Sequence, residues 1–139
     1  MQHYSQRNNK FSFFFSLLFF LFFFSFSMGQ NVEFEKENFK DRKDAFKEAR
    51  EFYQIGDENF SKGEQFFAVA LDFFIKAQNF NPNNALLNFK IGRCYIISNN
   101  KSKALPFFEK AFILNPTVDS DIHYYLGLSY HLDMQWEKQ

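Results

Sequence analysis

The side chains best suited to metal binding lie near the C-terminal end of the chain. His123 and His131 are eight residues apart on one predicted helix, which separates them by about 12 Å at the usual helical rise. This distance is too long for both imidazoles to ligate one metal ion. Asp121 and Asp133 flank the two histidines, but the pattern favours a solvated helix face, and we predict no metal site.

The sequence gives equally little support for a catalytic nucleophile. Ser129, His131 and Asp133 supply the residue types of a hydrolytic triad, yet the chain has no G-x-S-x-G elbow. Cys94 is the only cysteine and lies in an apolar stretch where helices are expected to pack, so we predict that it is buried as a small hydrophobe. No glycine-rich phosphate-binding loop occurs. We therefore predict no enzymatic activity and no cofactor.

Composition excludes other classes of function. The 139 residues include 16 basic and 16 acidic side chains, so the chain lacks the excess of Lys and Arg that is typical of nucleic-acid binders. One cysteine also rules out a disulfide framework. The length allows at most one domain of ordinary size.

The N-terminal region has the features of a targeting segment. Of the 24 phenylalanines, ten lie between Phe11 and Phe26, in a run made only of Phe, Leu and Ser that follows two basic residues and no acid. Ser27 and Gly29 place small residues at the −3 and −1 positions of a cut after Gly29. This pattern predicts a signal peptide at residues 1–29. The alternative is an uncleaved anchor, because residues 11–29 approach the roughly 20 residues that span a bilayer as a helix.

The remaining chain repeats with a period of 34 residues. Asn81-Pro82 recurs as Asn115-Pro116, 34 residues later. The same alignment superimposes Ala70 on Ala104, Leu71 on Leu105, Phe74 on Phe108 and Ala77 on Ala111. An apolar-G-x2-Y motif occurs twice, at Ile91–Tyr95 and at Leu126–Tyr130. Two copies of A-x3-F-x2-A-x4-P therefore alternate with two copies of apolar-G-x2-Y.

This pattern resembles the tetratricopeptide repeat (TPR) family. The resemblance implies an all-α solenoid of helix-turn-helix units, with about two and a half repeats after the signal peptide. We predict a charged leader at 30–43, either helical or loose, and repeats at about 44–84, 85–118 and 119–139, the last incomplete. The predicted helices span 44–60, 85–98, 101–114 and 121–133, with a turn at Met134-Gln135. The half repeat suggests the N-terminal part of a longer protein or pairing with another chain.

A narrower resemblance concerns four short phrases. They are similar to the N-terminal TPR segment of OmpA-like envelope proteins of Bacteroidota-type bacteria, and they are Asn81-Pro82-Asn83-Asn84, Lys103-Ala104-Leu105-Pro106, Asn115-Pro116 and especially the run from Asp121 to Gly127. The resemblance implies an exported protein in the periplasm or at the outer membrane. The expected function is a non-catalytic protein-protein interaction scaffold. The alternative is the N-terminal arm of a longer OmpA-like protein that anchors the outer membrane to peptidoglycan. Membrane contact would then come only from an uncleaved signal or from a further domain.

TPR modules bind peptides or partner domains in a concave groove lined by the first helix of each repeat. The family's groove positions correspond here to Leu86, Phe89, Lys90, Arg93, Ile96, Tyr124, Leu128 and His131. Phe89 stands where the carboxylate-binding TPR subfamily has one of its Lys or Asn residues, which makes that clamp doubtful. An apolar groove with Arg93 as its charged contact suits an extended peptide or a neighbouring domain. Phe89 and Ile96 have an alternative role, packing inside the superhelix.

Overall fold

The computed structural model describes residues 29–136, so the predicted signal peptide lies, apart from Gly29, outside the described residues. Five α-helices occur in this range: α1 (Lys43–Ser61), α2 (Phe67–Phe80), α3 (Ala85–Ile97), α4 (Leu105–Leu114) and α5 (Ile122–Trp136). Three 3-10 segments, Lys36–Arg42, Glu64–Phe66 and Lys101–Lys103, precede α1, α2 and α4. No strand is present between residues 29 and 136, which confirms the all-α class. None of the described helices is both long and apolar enough to cross a membrane.

The helices pack in the order in which they occur along the chain. The pairs α1–α2 and α3–α4 are helix hairpins, in which short connections place neighbouring helices side by side. The second helix of the first hairpin packs on the first helix of the next, and α5 packs on α4 and more lightly on α3. Two apolar clusters result, one among α1, α2 and α3 and one among α3, α4 and α5.

The 34-residue period corresponds to a repeated packing contact. Phe74 and Phe108 are both fully buried, and each lies against a glycine on the preceding helix. A Cβ atom on Gly56 would lie 2.5 Å from Phe74 Cδ1, and one on Gly92 would lie 2.8 Å from Phe108 Cε1. These glycines therefore permit an approach that any other residue would block. The alanines at both ends of the motif, Ala70, Ala77, Ala104 and Ala111, have no exposed surface.

Local chemistry explains features at the starts of α3 and α4. Asn84 caps α3, its side-chain oxygen accepting a hydrogen bond from the Leu87 amide at 2.8 Å. Pro106 is tolerated as the second residue of α4, where the amide has no intrahelical acceptor. That helix nevertheless begins at Leu105 and not at the predicted Lys101, because a separate 3-10 turn covers 101–103.

The predicted turn at Met134-Gln135 is wrong. The helix α5 continues through both residues to Trp136. Met and Gln are good helix formers, and neither glycine nor proline interrupts this stretch. Between α1 and α2 the chain turns at Gly63, whose φ of 109° is readily adopted only by glycine.

The leader is neither a regular α-helix nor loose. Its 3-10 segment buries Phe39, whose ring stacks on Phe46 at 5.2 Å and packs on Phe80 at 4.9 Å. The residues before it form no regular element and are attached to the turn between α2 and α3. The Val32 amide donates to the Asn83 carbonyl at 2.8 Å, and the Val32 carbonyl accepts from the side chains of Asn81 (2.8 Å) and Asn84 (3.0 Å).

Candidate protein-binding face

A line of aromatic and basic side chains crosses α1, α3 and α5. We call Tyr53, Phe60, Lys90, Arg93 and Tyr125 the basic-aromatic face. Lys90 lies over the rings of Tyr53 and Phe60, both on α1. Arg93 lies over the rings of Phe60 on α1 and Tyr125 on α5. Since these side chains come from the first helix of each hairpin and from α5, the face depends on the stacking of the units and not on any one helix.

Lys90 has a carboxylate partner. Its ammonium group donates a hydrogen bond to Asp57 and forms an ion pair with it. The Lys90 side chain is only 13% exposed, and its nitrogen lies 5.5 Å from the Tyr53 ring centroid. Burial raises the pKa of Tyr53, while the charge of Lys90 acts in the opposite direction. Lys90 therefore joins α3 to α1, and its charge is balanced within the protein.

Arg93 has no such partner. Its guanidinium carbon lies 4.9 Å from the Tyr125 centroid, 5.6 Å from that of Phe60 and 5.9 Å from that of Phe67. Among the described residues, no carboxylate lies within ion-pair distance of it. Cation–π contacts orient the group, but its fork of N–H donors is suited to a carboxylate. Burial raises the pKa of Tyr125, and the Arg93 charge opposes that shift.

The structure divides the predicted groove residues into several environments. Phe89 and Ile96 are 2% and 9% exposed, with the Phe89 ring edge-on to Phe108 at 5.7 Å. For these two residues the sequence allowed either a place in the groove or packing in the interior, and both lie in the interior. Leu86 and Leu128 are half-buried, and Leu128 packs on the second apolar cluster. Tyr124 and His131 are exposed.

The structure thus brings Lys90 and Arg93 together with four residues that the sequence reasoning missed. These are Tyr53, Asp57, Phe60 and Tyr125. The sequence does contain one indication of charged contacts between the units. Asp57 follows Gly56 just as Arg93 follows Gly92, so opposite charges occupy the same position in consecutive units. The first unit was harder to align because it departs from the apolar-G-x2-Y motif, with Asn59 in place of tyrosine.

The described cavities lie beside this face and on the other side of α3. An open depression of about 600 Å³ is lined by Tyr53, Gln54, Asp57, Glu58, Ser61 and Lys62. A second cavity, of about 460 Å³, lies between α2 and α3 next to Cys94. Burial raises the pKa of the Cys94 thiol to about 12, against the opposing charge of Arg93. The thiol is therefore protonated at neutral pH and is not an activated nucleophile.

The other candidate chemical groups do not form sites. Within residues 29–136, no cluster of three or more His, Cys, Asp or Glu side chains is placed to hold a metal ion. Ser129 is 2% exposed, and its hydroxyl has no hydrogen-bond partner in the described structure. It is therefore not joined to His131 in a triad. The His123 ring lies edge-on to Phe112 at 5.3 Å.

The protein is all-α, with two stacked helix hairpins and one further helix. The basic-aromatic face runs across α1, α3 and α5. Comparisons with protein-family models, with curated proteins and with solved structures gave no match for this chain. The geometry of the described residues must therefore carry the functional argument.

Proposed function

We propose that this protein is a non-catalytic interaction module of the tetratricopeptide type that binds a protein or peptide on its basic-aromatic face. The proposal rests on the environment of Arg93. Its guanidinium group lies over the rings of Phe60, Phe67 and Tyr125 and has no carboxylate partner among the described residues. The repeated glycine–phenylalanine contact supports the assignment to a helical-repeat scaffold.

The chemistry of the face indicates its ligand. Arg93 can donate two parallel hydrogen bonds to a carboxylate, and the adjacent rings offer apolar surface on both sides. Lys90 contributes little net charge because it is paired with Asp57. An extended segment with one acidic side chain between apolar residues therefore fits the face best.

The proposal includes export. The predicted signal peptide would deliver the module to the periplasm, at or near the outer membrane. The similarity of 81–84 and 121–127 to OmpA-like envelope proteins supports a second role, as the N-terminal arm of a longer anchor. Fractionation of the source cells, with an antibody raised against residues 30–139, tests both ideas. An envelope band far above 16.7 kDa would favour the anchor, and a slightly smaller soluble exported band would favour a separate adaptor.

Binding is tested by substitution of Arg93. The full chain and its Arg93→Ala variant would be used to capture partners from the envelope fraction of the source cells, with quantification of each captured protein. We expect Arg93→Ala to reduce the specific partner at least tenfold. Lys47→Ala removes a cation from the exposed side of α1 and should have no effect. Arg93→Lys retains the charge without the planar fork and should give an intermediate loss. If Arg93→Ala keeps the native circular dichroism and full capture, the face is not the binding site.

A further inference from the structure

Each first helix of a unit presents the same three positions around a glycine. An aromatic residue lies three positions before the glycine, and a further side chain lies four positions after it, so all three share one face of the helix. The sets are Tyr53-Gly56-Phe60 on α1, Phe89-Gly92-Ile96 on α3 and Tyr124-Gly127-His131 on α5. We call the third set, together with Met134, the Gly127 face.

The first two faces are each covered by one phenylalanine. The Phe74 ring lies against Gly56, with its centroid 6.2 Å from that of Tyr53 and 5.9 Å from that of Phe60. The Phe108 ring lies against Gly92, 5.7 Å from Phe89. Both phenylalanines stand in the same local sequence, with alanine four residues before and three residues after.

The third face is exposed at Tyr124, Gly127 and Met134. Among residues 29–136, no atom outside α5 would lie within 4 Å of a Cβ atom at Gly127. Tyr124 is 66% exposed, whereas its equivalent Phe89 is 2% exposed, and Met134 is 56% exposed. Glycine inside a helix costs about 1 kcal/mol relative to alanine. At Gly56 and Gly92 the close approach of a ring explains that cost, but none of the described residues explains it at Gly127.

We propose that the Gly127 face is a docking site for an amphipathic partner helix that carries phenylalanine between alanines in the pattern A-x3-F-x2-A. The chain shows twice that such a helix fits a face of this kind. A folded second copy cannot supply it, because Phe74 and Phe108 are fully buried in their own hairpins. This site lies on the exposed side of α5 and adjoins the basic-aromatic face, because the Tyr124 ring lies 5.2 Å from that of Tyr125.

A synthetic peptide with the sequence of residues 101–116 supplies the probe, since it contains Ala104, Phe108 and Ala111 in the required pattern. Its fluorescence anisotropy would be titrated with the full chain. We expect saturable binding, weakened at least tenfold when the peptide carries Phe108→Ser. Absence of saturable binding would overturn the proposal.

The decisive variant is Gly127→Ala in the protein. In the free chain the added methyl would meet none of the described residues, so the melting temperature should stay the same or rise. Peptide affinity should fall at least tenfold, because the equivalent Cβ atoms at Gly56 and Gly92 would lie under 3 Å from the ring. Ile113→Ala, which shortens an exposed side chain on α4, should bind like the wild type.

Two results would contradict the docking site. Unchanged peptide affinity of Gly127→Ala would mean that the peptide binds elsewhere, for example by replacing α4. Self-association of the wild-type chain that Gly127→Ala abolishes, without peptide binding, would show that the face pairs with a second copy. Both measurements are independent of Arg93, so the outcome is distinguishable from that of the partner-capture experiment.

Discussion

The two Asn-Pro turns have the same sequence signature and different environments. Asn81 is 3% exposed and donates its side-chain amide to the Val32 carbonyl at 2.8 Å. Asn115, 34 residues later, is only half-buried, and its side-chain oxygen accepts hydrogen bonds from Thr117 within the same turn. The first turn is thus a junction with a distant segment, whereas the second is closed by local bonds.

The difference comes from the leader. Its Val32 bonds to the first turn, and Phe39 packs on Phe80, the residue immediately before Asn81. The Ala85 amide, at the start of α3, also donates to the Asn31 side chain at 2.8 Å. The same local motif therefore acquires different roles in a repeat protein, depending on what lies outside the repeats. If the leader is released, the first turn should come to resemble the second.

The largest expected effect is that of Phe39→Ala. This substitution removes the ring that attaches the leader to Phe46 and Phe80. We expect it to lower the free energy of unfolding of the full chain by about 3 kcal/mol, the low end for a buried phenylalanine. Urea denaturation measures this loss. Amide exchange at Val32 should also accelerate, because its hydrogen bond to Asn83 depends on the docked leader.

The control for Phe39→Ala is Ile113→Ala. Ile113 is 52% exposed, so its truncation should change stability by less than about 0.5 kcal/mol. Equal effects of the two substitutions would show that the leader contributes no stability and that the first turn is not a junction in solution.

A smaller effect is expected from the matched pair Asn81→Ala and Asn115→Ala. Asn81→Ala removes a partly buried hydrogen bond to the leader and the acceptor for the Asn83 amide, and should cost about 1 to 2 kcal/mol. Asn115→Ala removes only exposed bonds within its turn and should cost about 0.5 kcal/mol. Denaturation of the two variants under the same conditions measures the difference. A larger cost at Asn115 would reverse the comparison.

The repeats were predictable because their signals are local and periodic. The apolar spacing predicted α1 to within one residue at each end, and the predicted start of α3 at Ala85 is confirmed. The close contact of Gly92 with Phe108 follows from a small residue facing a large one in neighbouring helices.

Other features depend on contacts that no local pattern contains. Phe34 and Phe39 are isolated apolar residues in a charged segment, and the Asn81 side chain reaches a carbonyl 49 residues away in sequence. For α3, apolar residues cover more than one side of the helix, so the sequence cannot decide whether Phe89 faces a groove or α4. The structure places it against Phe108. A test of the binding face therefore belongs at Arg93, because Phe89→Glu would bury a charge and unfold the protein.

The smallest expected effect is a pH dependence of stability, which should arise in α3, after the first turn, and not at the equivalent position of α5, after the second. Cys94 on α3 and Ser129 on α5 are both 2% exposed and occupy equivalent positions, 35 residues apart, but only Cys94 titrates. Burial raises the pKa of its thiol from 9.0 to about 12. As pH rises above about 9, the unfolded chain therefore loses this proton first, and stability falls until pH reaches about 12.

Below pH 9 the contribution of Cys94 should be constant, and at pH 9.5 the wild type should have lost less than about 1 kcal/mol through this thiol. Cys94→Ala should remove that part of the pH dependence while the tyrosines continue to contribute theirs. Urea denaturation of both proteins at pH 7 and at pH 9.5 gives the difference. If the two proteins lose equal stability, or if the wild-type thiol reacts with Ellman's reagent at pH 8 as fast as free cysteine, Cys94 is accessible. The α2–α3 packing beside it would then be looser than the structure shows, and the contrast between the two turns would rest on the leader alone.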